Sequence, residues 1–236
     1  MSASALLLLA AVVAVAAFVQ GASGLGFALI VAPVAGLLNP GLLPVMLLAA
    51  MIPLNLYIML RERGALDLRG AAWISVARIA ATPGGSLLLL VIPERHLGMV
   101  VGLATVLAAL ASVAAPAFTP GRGAYMGAGV ITGLTETTTG VGGPPLALVY
   151  QHRPPSELRA TVALCFLVGE VVSLAMLLST GQGGTELLRP TLLILPAVVA
   201  GVVVSRFAHR FIDASRMRVF VLGFALVSGV VLMLGM

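Results

Sequence analysis

Nearly uncharged apolar runs follow one another along the whole chain, at roughly 5–38, 42–60, 71–91, 97–118, 124–151, 160–179, 187–205 and 219–236. An α-helix needs about 20 such residues to cross the hydrocarbon of a bilayer, and six of these runs have about that length. Composition closes off the alternative of a water-soluble globule. The 236 residues are 60% hydrophobic and only 9% charged, whereas a soluble domain carries about 25% charged residues to keep its surface wet. The expectation is an all-α integral membrane protein. A cytosolic enzyme, a disulfide-stapled secreted scaffold and a disordered chain are all excluded by the same pattern.

The net charge of +5 does not point to nucleic acid, because the 13 basic residues are all arginines and nearly all lie between apolar runs. Loop arginines set topology rather than track phosphates. Cys165 is the one cysteine, so no disulfide and no thiolate metal site can form within the chain. The first twenty residues imitate a signal sequence but lack a positive start, and the apolar pattern runs on past them. They read as part of the mature protein.

Two runs are unlike the others. The first is too long for one crossing and is interrupted by Gly21-Ala22-Ser23-Gly24-Leu25-Gly26. The fifth is interrupted by Thr137-Thr138-Thr139-Gly140-Val141-Gly142-Gly143-Pro144-Pro145. Clustered Gly and Pro break a helix, one by entropy and the other by removing a donor. Ser23-Gly24-Leu25-Gly26 falls on Thr139-Gly140-Val141-Gly142 at an offset of 116, and Pro40 meets Pro155 and Asn55 meets Glu170 at 115. Ile92 meets Ile212, and Leu97 meets Met217, at 120. The reading is a unit present twice, 1–118 and 119–236, within one membrane domain. Each copy is a glycine-rich broken or re-entrant helix pair followed by three transmembrane helices, as in many secondary transporters.

Arginine counting fixes how the second broken segment crosses. If it enters and returns on one side, Arg61, Arg63, Arg69, Arg122, Arg153, Arg159, Arg206, Arg210, Arg216 and Arg218 share a face, against Arg95 and Arg189. A single crossing would divide the same residues seven against five, which is no signal. A hairpin plus three spans is an odd number of crossings, so the two repeats would be inverted and both termini extracytoplasmic.

Irregular backbone inside a membrane survives only where protein or a water-filled cavity satisfies its polar groups. A half-helix that starts after such a break aims free N–H groups and its positive dipole end at that cavity, which favours an anion. The expected anion-binding set is Gln20, Ser23, Gly24, Gly26, Thr138, Thr139, Gly140, Gly142 and Gly143, with Thr137 beside them; close packing of small residues is the plainer alternative. Ionisable residues inside spans are costly and mark function or a structural pair. Glu136 sits just before the threonines, Glu170 lies mid-span opposite Asn55, and Arg78 lies a third of the way into its span. Glu170 is the first candidate for carrying a coupled proton and Glu136 the second; a pair with Arg78 or a protonated interhelical donor is the structural reading of Glu170. Arg78 would attract an anion or snorkel to the interface, and Gln20 and Asn55 would line the cavity or join helices. His96, His152 and His209 lie in loops without metal-ligand spacing, and no metal, cofactor or catalytic set is expected.

At these clusters the chain resembles the TauE/SafE family, the sulfite exporter or TSUP permeases, along its whole length. Gln20-Gly21-Ala22-Ser23-Gly24-Leu25-Gly26-Phe27 is similar to the family's first-half motif, without the double glycine of many members. Gly140-Val141-Gly142-Gly143-Pro144-Pro145 is similar to its second-half Gly-x-Gly-Gly-Pro-Pro signature. The resemblance implies a permease for sulfite, sulfonates or other small organosulfur or carboxylate anions, often presumed to be proton-coupled. It implies residence in the inner (plasma) membrane and fixes neither anion nor direction.

The leading expectation is a secondary transporter, with a small oxyanion, protons and the lipid bilayer as partners; an oligomer is compatible with it. A passive anion channel is the runner-up. An intramembrane enzyme lacks any nucleophile paired with a base, and a scaffolding subunit would show no ligand-dependent stabilisation.

Overall fold

The computed structural model describes residues 2–114, 119–182, 188–208 and 214–234. His209, Arg210, Ile212 and the last two residues, which entered the repeat and charge arguments above, lie outside the described residues. Ten α-helices account for most of the rest: α1 Ala3–Ser23, α2 Phe27–Leu38, α3 Val45–Arg61, α4 Leu68–Val91, α5 Glu94–Ala114, α6 Arg122–Thr139, α7 Gly143–Tyr150, α8 Pro155–Ser179, α9 Leu188–Ala208 and α10 Ala214–Met233. No strand occurs among the described residues.

Five helices, α1, α4, α5, α8 and α9, are long and apolar enough to cross a bilayer, and α2, α3 and most of α10 are shorter apolar helices. Their outward faces carry bare hydrocarbon: Leu7 is 72% exposed, Val91 79% and Phe207 64%. Apolar surface on that scale is stable against lipid and not against water. The chain is a multi-pass membrane protein. Prolines 33, 53, 83 and 196 sit inside helices, where neighbouring helices can compensate the lost backbone bond.

Both interrupted runs are helix pairs. α1 ends at Gly24 (φ +88°), whose N–H donates to the Gln20 carbonyl at 2.7 Å. α6 ends at Gly140 (φ +81°), whose N–H donates to the Glu136 carbonyl at 2.8 Å. A left-handed residue closing a helix is what glycine permits and a Cβ resists. Gly26 (φ +118°) then opens α2, and Gly142 opens α7.

Small residues bring the helices together. On the α4–α6 seam a Cβ on Gly133 would stand 2.6 Å from the Arg78 carbonyl, and one on Gly85 2.8 Å from the Leu134 carbonyl. On α5–α10 a Cβ on Gly102 would stand 2.6 Å from the Gly229 carbonyl, and Gly201 packs α9 onto Ala14 and Ala17 of α1. Close backbone approach of this kind is how helices associate in lipid. The most extensive pairings are α4 with α6, α1 with α9, α3 with α8, and α5 with α10. Exchanging α1 to α5 for α6 to α10 converts the first pairing into the second and leaves the other two unchanged.

Candidate functional site

A cavity of about 200 Å³ lies between the two breaks. Gln20, Ser23, Leu25 and Gly26 line it from the first break, Ala28 and Leu29 from the start of α2, and Gly143, Pro144 and Ala147 from α7. Met51, Leu158, Phe166 and Val221 add apolar wall, and Ser112 and Gln151 add two further polar side chains. The breaks abut: a Cβ on Gly143 would be in ordinary contact with Leu25 Cδ2 at 3.4 Å and Phe166 Cζ at 3.8 Å.

The two half-helices present different chemistry to this space. At the start of α2, the Phe27 N–H donates to Gln20 Oε1 at 3.0 Å and the Ile30 N–H to the Gly26 carbonyl at 3.1 Å. The N–H groups of Ala28 and Leu29 find no partner among the described residues and belong to cavity-lining positions. They are the orphan donors of a helix N-terminus, with its positive dipole end behind them. α7 begins Gly143-Pro144-Pro145. Proline has no N–H, so the second half-helix offers the cavity little beyond the Gly143 amide and a rigid turn.

Behind the cavity runs a buried polar chain. Gln20, 1% exposed, donates through Nε2 to Asn55 Oδ1 at 2.9 Å, and Asn55 donates through Nδ2 to Glu170 Oε1 at 2.6 Å. Asn55 and Glu170 are the residues that the repeat alignment placed opposite each other. Glu170 Oε2 has no partner among the described residues. Next to it, Arg78 is fully buried and does not snorkel: Nη2 donates to Glu136 Oε2 at 2.5 Å and Nη1 to the Cys165 carbonyl at 2.8 Å. Its guanidinium also lies 5.6 Å from the centre of the Phe166 ring, the ring that walls the cavity. Gly169 makes the room, since a Cβ there would overlap the guanidinium. Glu136 Oε1 and Arg78 Nε are unpartnered among the described residues. Arg78 therefore pairs with Glu136 and not with Glu170.

The other residues expected to bind an anion sit off the cavity. Gly24 abuts Leu158 and Arg159, and Gly140 abuts Leu47. Gly142 faces the Glu136 side chain, and a Cβ there would stand 2.7 Å from Glu136 Cβ. Thr138 Oγ1 donates to the Leu134 or Gly85 carbonyl, and Thr139 Oγ1 donates to the Thr135 carbonyl at 2.7 Å while accepting from the Val141 N–H. Thr137 Oγ1 is 2.7 Å from Ser173 Oγ. These hydroxyls serve the helix and its neighbours, a common use of threonine inside membrane helices. Among the cavity residues that sequence reasoning missed, Met51, Phe166 and Leu158 carry no signal in a run of similar apolar residues, and Ser112 and Gln151 stand near the ends of apolar runs, outside the glycine clusters. His96 lies in the first turn of α5 and His152 in the turn after α7.

Below the first break an ionic cluster ties four helices. Glu62 Oε1 accepts from Arg61 Nη2 at 2.7 Å and Arg159 Nε at 2.8 Å, and Arg61 Nη2 also donates to the Gly21 carbonyl at 2.7 Å. Arg61 Nη1 reaches Ser205 Oγ of α9 at 3.4 Å.

The model of one protein family, the sulfite exporter TauE/SafE family, matches residues 9–232, nearly the whole chain. No curated protein and no solved structure matches. The chain belongs to the TauE/SafE family of membrane transporters.

Proposed function

We propose that this TauE/SafE member is a secondary transporter for a small oxyanion, sulfite or a short organosulfonate, coupled to protons. The observation that carries the reading is the cavity between the two breaks, lined at the N-terminus of α2 by Ala28 and Leu29, whose N–H groups have no partner among the described residues. The polar residues Gln20, Ser23, Ser112 and Gln151 line it too, and the Ser23 hydroxyl itself donates to the Val19 or Leu25 carbonyl. Such a site attracts an anion with dipoles and not with a full counter-charge, since no arginine lines it. Neutral donors hold an anion weakly enough to let it leave, which a transporter needs.

The coupling runs through Gln20 and Asn55. Their amides link the Phe27 N–H at the start of α2 to the Glu170 carboxyl in one donor-to-acceptor direction. Amide groups do not pass protons along, so this chain senses the charge on Glu170 and does not conduct it. One guanidinium and two carboxyls are buried together, and Arg78 already balances Glu136. Charge balance is reached when Glu170 carries a proton, and its free Oε2 is the place for it. Losing that proton would put a negative charge at the end of the amide chain and repel an anion from the cavity, so the anion binds while Glu170 is protonated. Two inverted repeats, both termini outside and the inner (plasma) membrane as location complete the reading. The exchange symmetry of the helix pairings and the contact between Asn55 and Glu170 support it.

Uptake of sulfite or a short sulfonate into proteoliposomes tests both parts. Gly143→Val fills the cavity without a backbone clash and should cut uptake at least tenfold with an unchanged melting temperature. Glu170→Gln should abolish accumulation driven by a pH gradient and keep anion exchange. Normal uptake in the first variant would remove the anion from this cavity, and normal coupling in the second would remove the proton from Glu170.

A further inference from the structure

At the arginine-rich end, away from the cavity between the breaks, a second hollow of about 370 Å³ opens between the starts of α4 and α6. Arg69, Arg122 and Arg153 line it, with Asp67 the one acid in the lining. Asp67 is already engaged, accepting from the Gly70 N–H at 2.9 Å and from Tyr150 Oη at 3.0 Å. Neither Arg69 nor Arg122 has a carboxylate partner among the described residues. Arg153 lies 3.6 Å from Glu157, and a hydrogen bond to Tyr125 together with that carboxylate pushes its pKa above the usual arginine value.

Three features say what this hollow holds. Arg69 and Arg122 stand in the first turns of α4 and α6; Asp67 caps α4, whereas α6 starts after Gly121 with no acidic residue in its cap or first turn. Cations at helix N-termini oppose the dipole, and a bound anion reverses that cost. Arg122 lies 3.8 Å over the Trp73 ring, a cation–π pair at the level of the membrane interface, where tryptophan belongs. Beside the hollow, Leu68, Val76 and Ile79 are 66%, 61% and 42% exposed and fall on one face of α4 at helical spacing. Fixed positive charge, an interfacial aromatic and an adjoining apolar stripe are the parts of a lipid-headgroup site.

We infer that this hollow binds the phosphate of an anionic phospholipid, with Arg69 and Arg122 on the phosphate oxygens and the acyl chains along Leu68, Val76 and Ile79. Planar guanidinium groups suit phosphate oxygens. The inference rests on neither the cavity nor the transport reading. Full-length protein in detergent, titrated with dioctanoyl phosphatidylglycerol, dioctanoyl phosphatidylcholine or inorganic phosphate, reports binding as a rise in melting temperature. Phosphatidylglycerol should stabilise the protein and phosphatidylcholine should not. Arg69→Gln/Arg122→Gln should weaken the phosphatidylglycerol response at least tenfold, and Arg63→Gln, outside the hollow, should leave it unchanged. Arg69→Gln alone, which breaks no ion pair among the described residues, serves if the double variant fails to fold. Equal stabilisation by both lipids, or an undiminished response in the variants, overturns the proposal. Inorganic phosphate acting at the same concentration as phosphatidylglycerol would make this a soluble-anion site and overturn the lipid assignment.

Discussion

Arg78 and Glu136 show how little of a buried network a chain discloses before it folds. Both were conspicuous as charges within apolar runs, yet 58 positions separate them and nothing in their spacing pairs them. Asn55 and Glu170 were aligned through the repeat, but that they touch depends on how α3 meets α8. Removing one member of a buried ion pair leaves the other uncompensated, at a cost of about 3–5 kcal/mol. Arg78→Met should therefore lower the melting temperature sharply, and adding Glu136→Leu should restore most of it. A double variant no more stable than the single one would mean that the guanidinium matters for its bond to the Cys165 carbonyl and its ring contact instead. Gly169 obeys the same logic, because a Cβ there would claim the volume that the guanidinium fills.

Among elements, the broken helix pairs were the most legible. Gly24, Gly26 and Gly140 take positive φ, a conformation that glycine runs announce. The boundaries of α3 to α5 and α8 to α10 follow the apolar runs closely, since hydrophobic length is what the bilayer selects. The uses of Thr137, Thr138 and Thr139 were hidden, because a hydroxyl in the sequence looks the same whether it meets a ligand or its own helix. The seam of α4 and α6 gives the sharpest test at this scale. A Cβ on Gly133 meets backbone at 2.6 Å and Ala81 Cβ at 3.0 Å, neither of which can swing aside. Overpacking such a contact costs about 1–3 kcal/mol, so Gly133→Ala should melt several degrees below the parent. An unchanged melting temperature would show that the seam can open without penalty.

For the whole molecule, orientation is the open quantity that charge counting addresses. Cys165 is fully buried, so a membrane-impermeant maleimide should leave the parent chain unlabelled. Arg153→Cys should be labelled only from the cytoplasm and Asn39→Cys only from outside; labelling of both from one side would overturn the proposed topology. The helix pairings carry a further consequence. All four extensive ones, α4 with α6, α1 with α9, α3 with α8 and α5 with α10, join an early helix to a late one. While a ribosome is still translating the second part, the first five helices stand in the bilayer without their mates. Their glycine-lined faces then need shelter from the insertion machinery or a lipid chaperone, and synthesis has to finish before assembly can. Two separately expressed pieces, cut between α5 and α6, should find each other in the same cell, and either alone should be degraded.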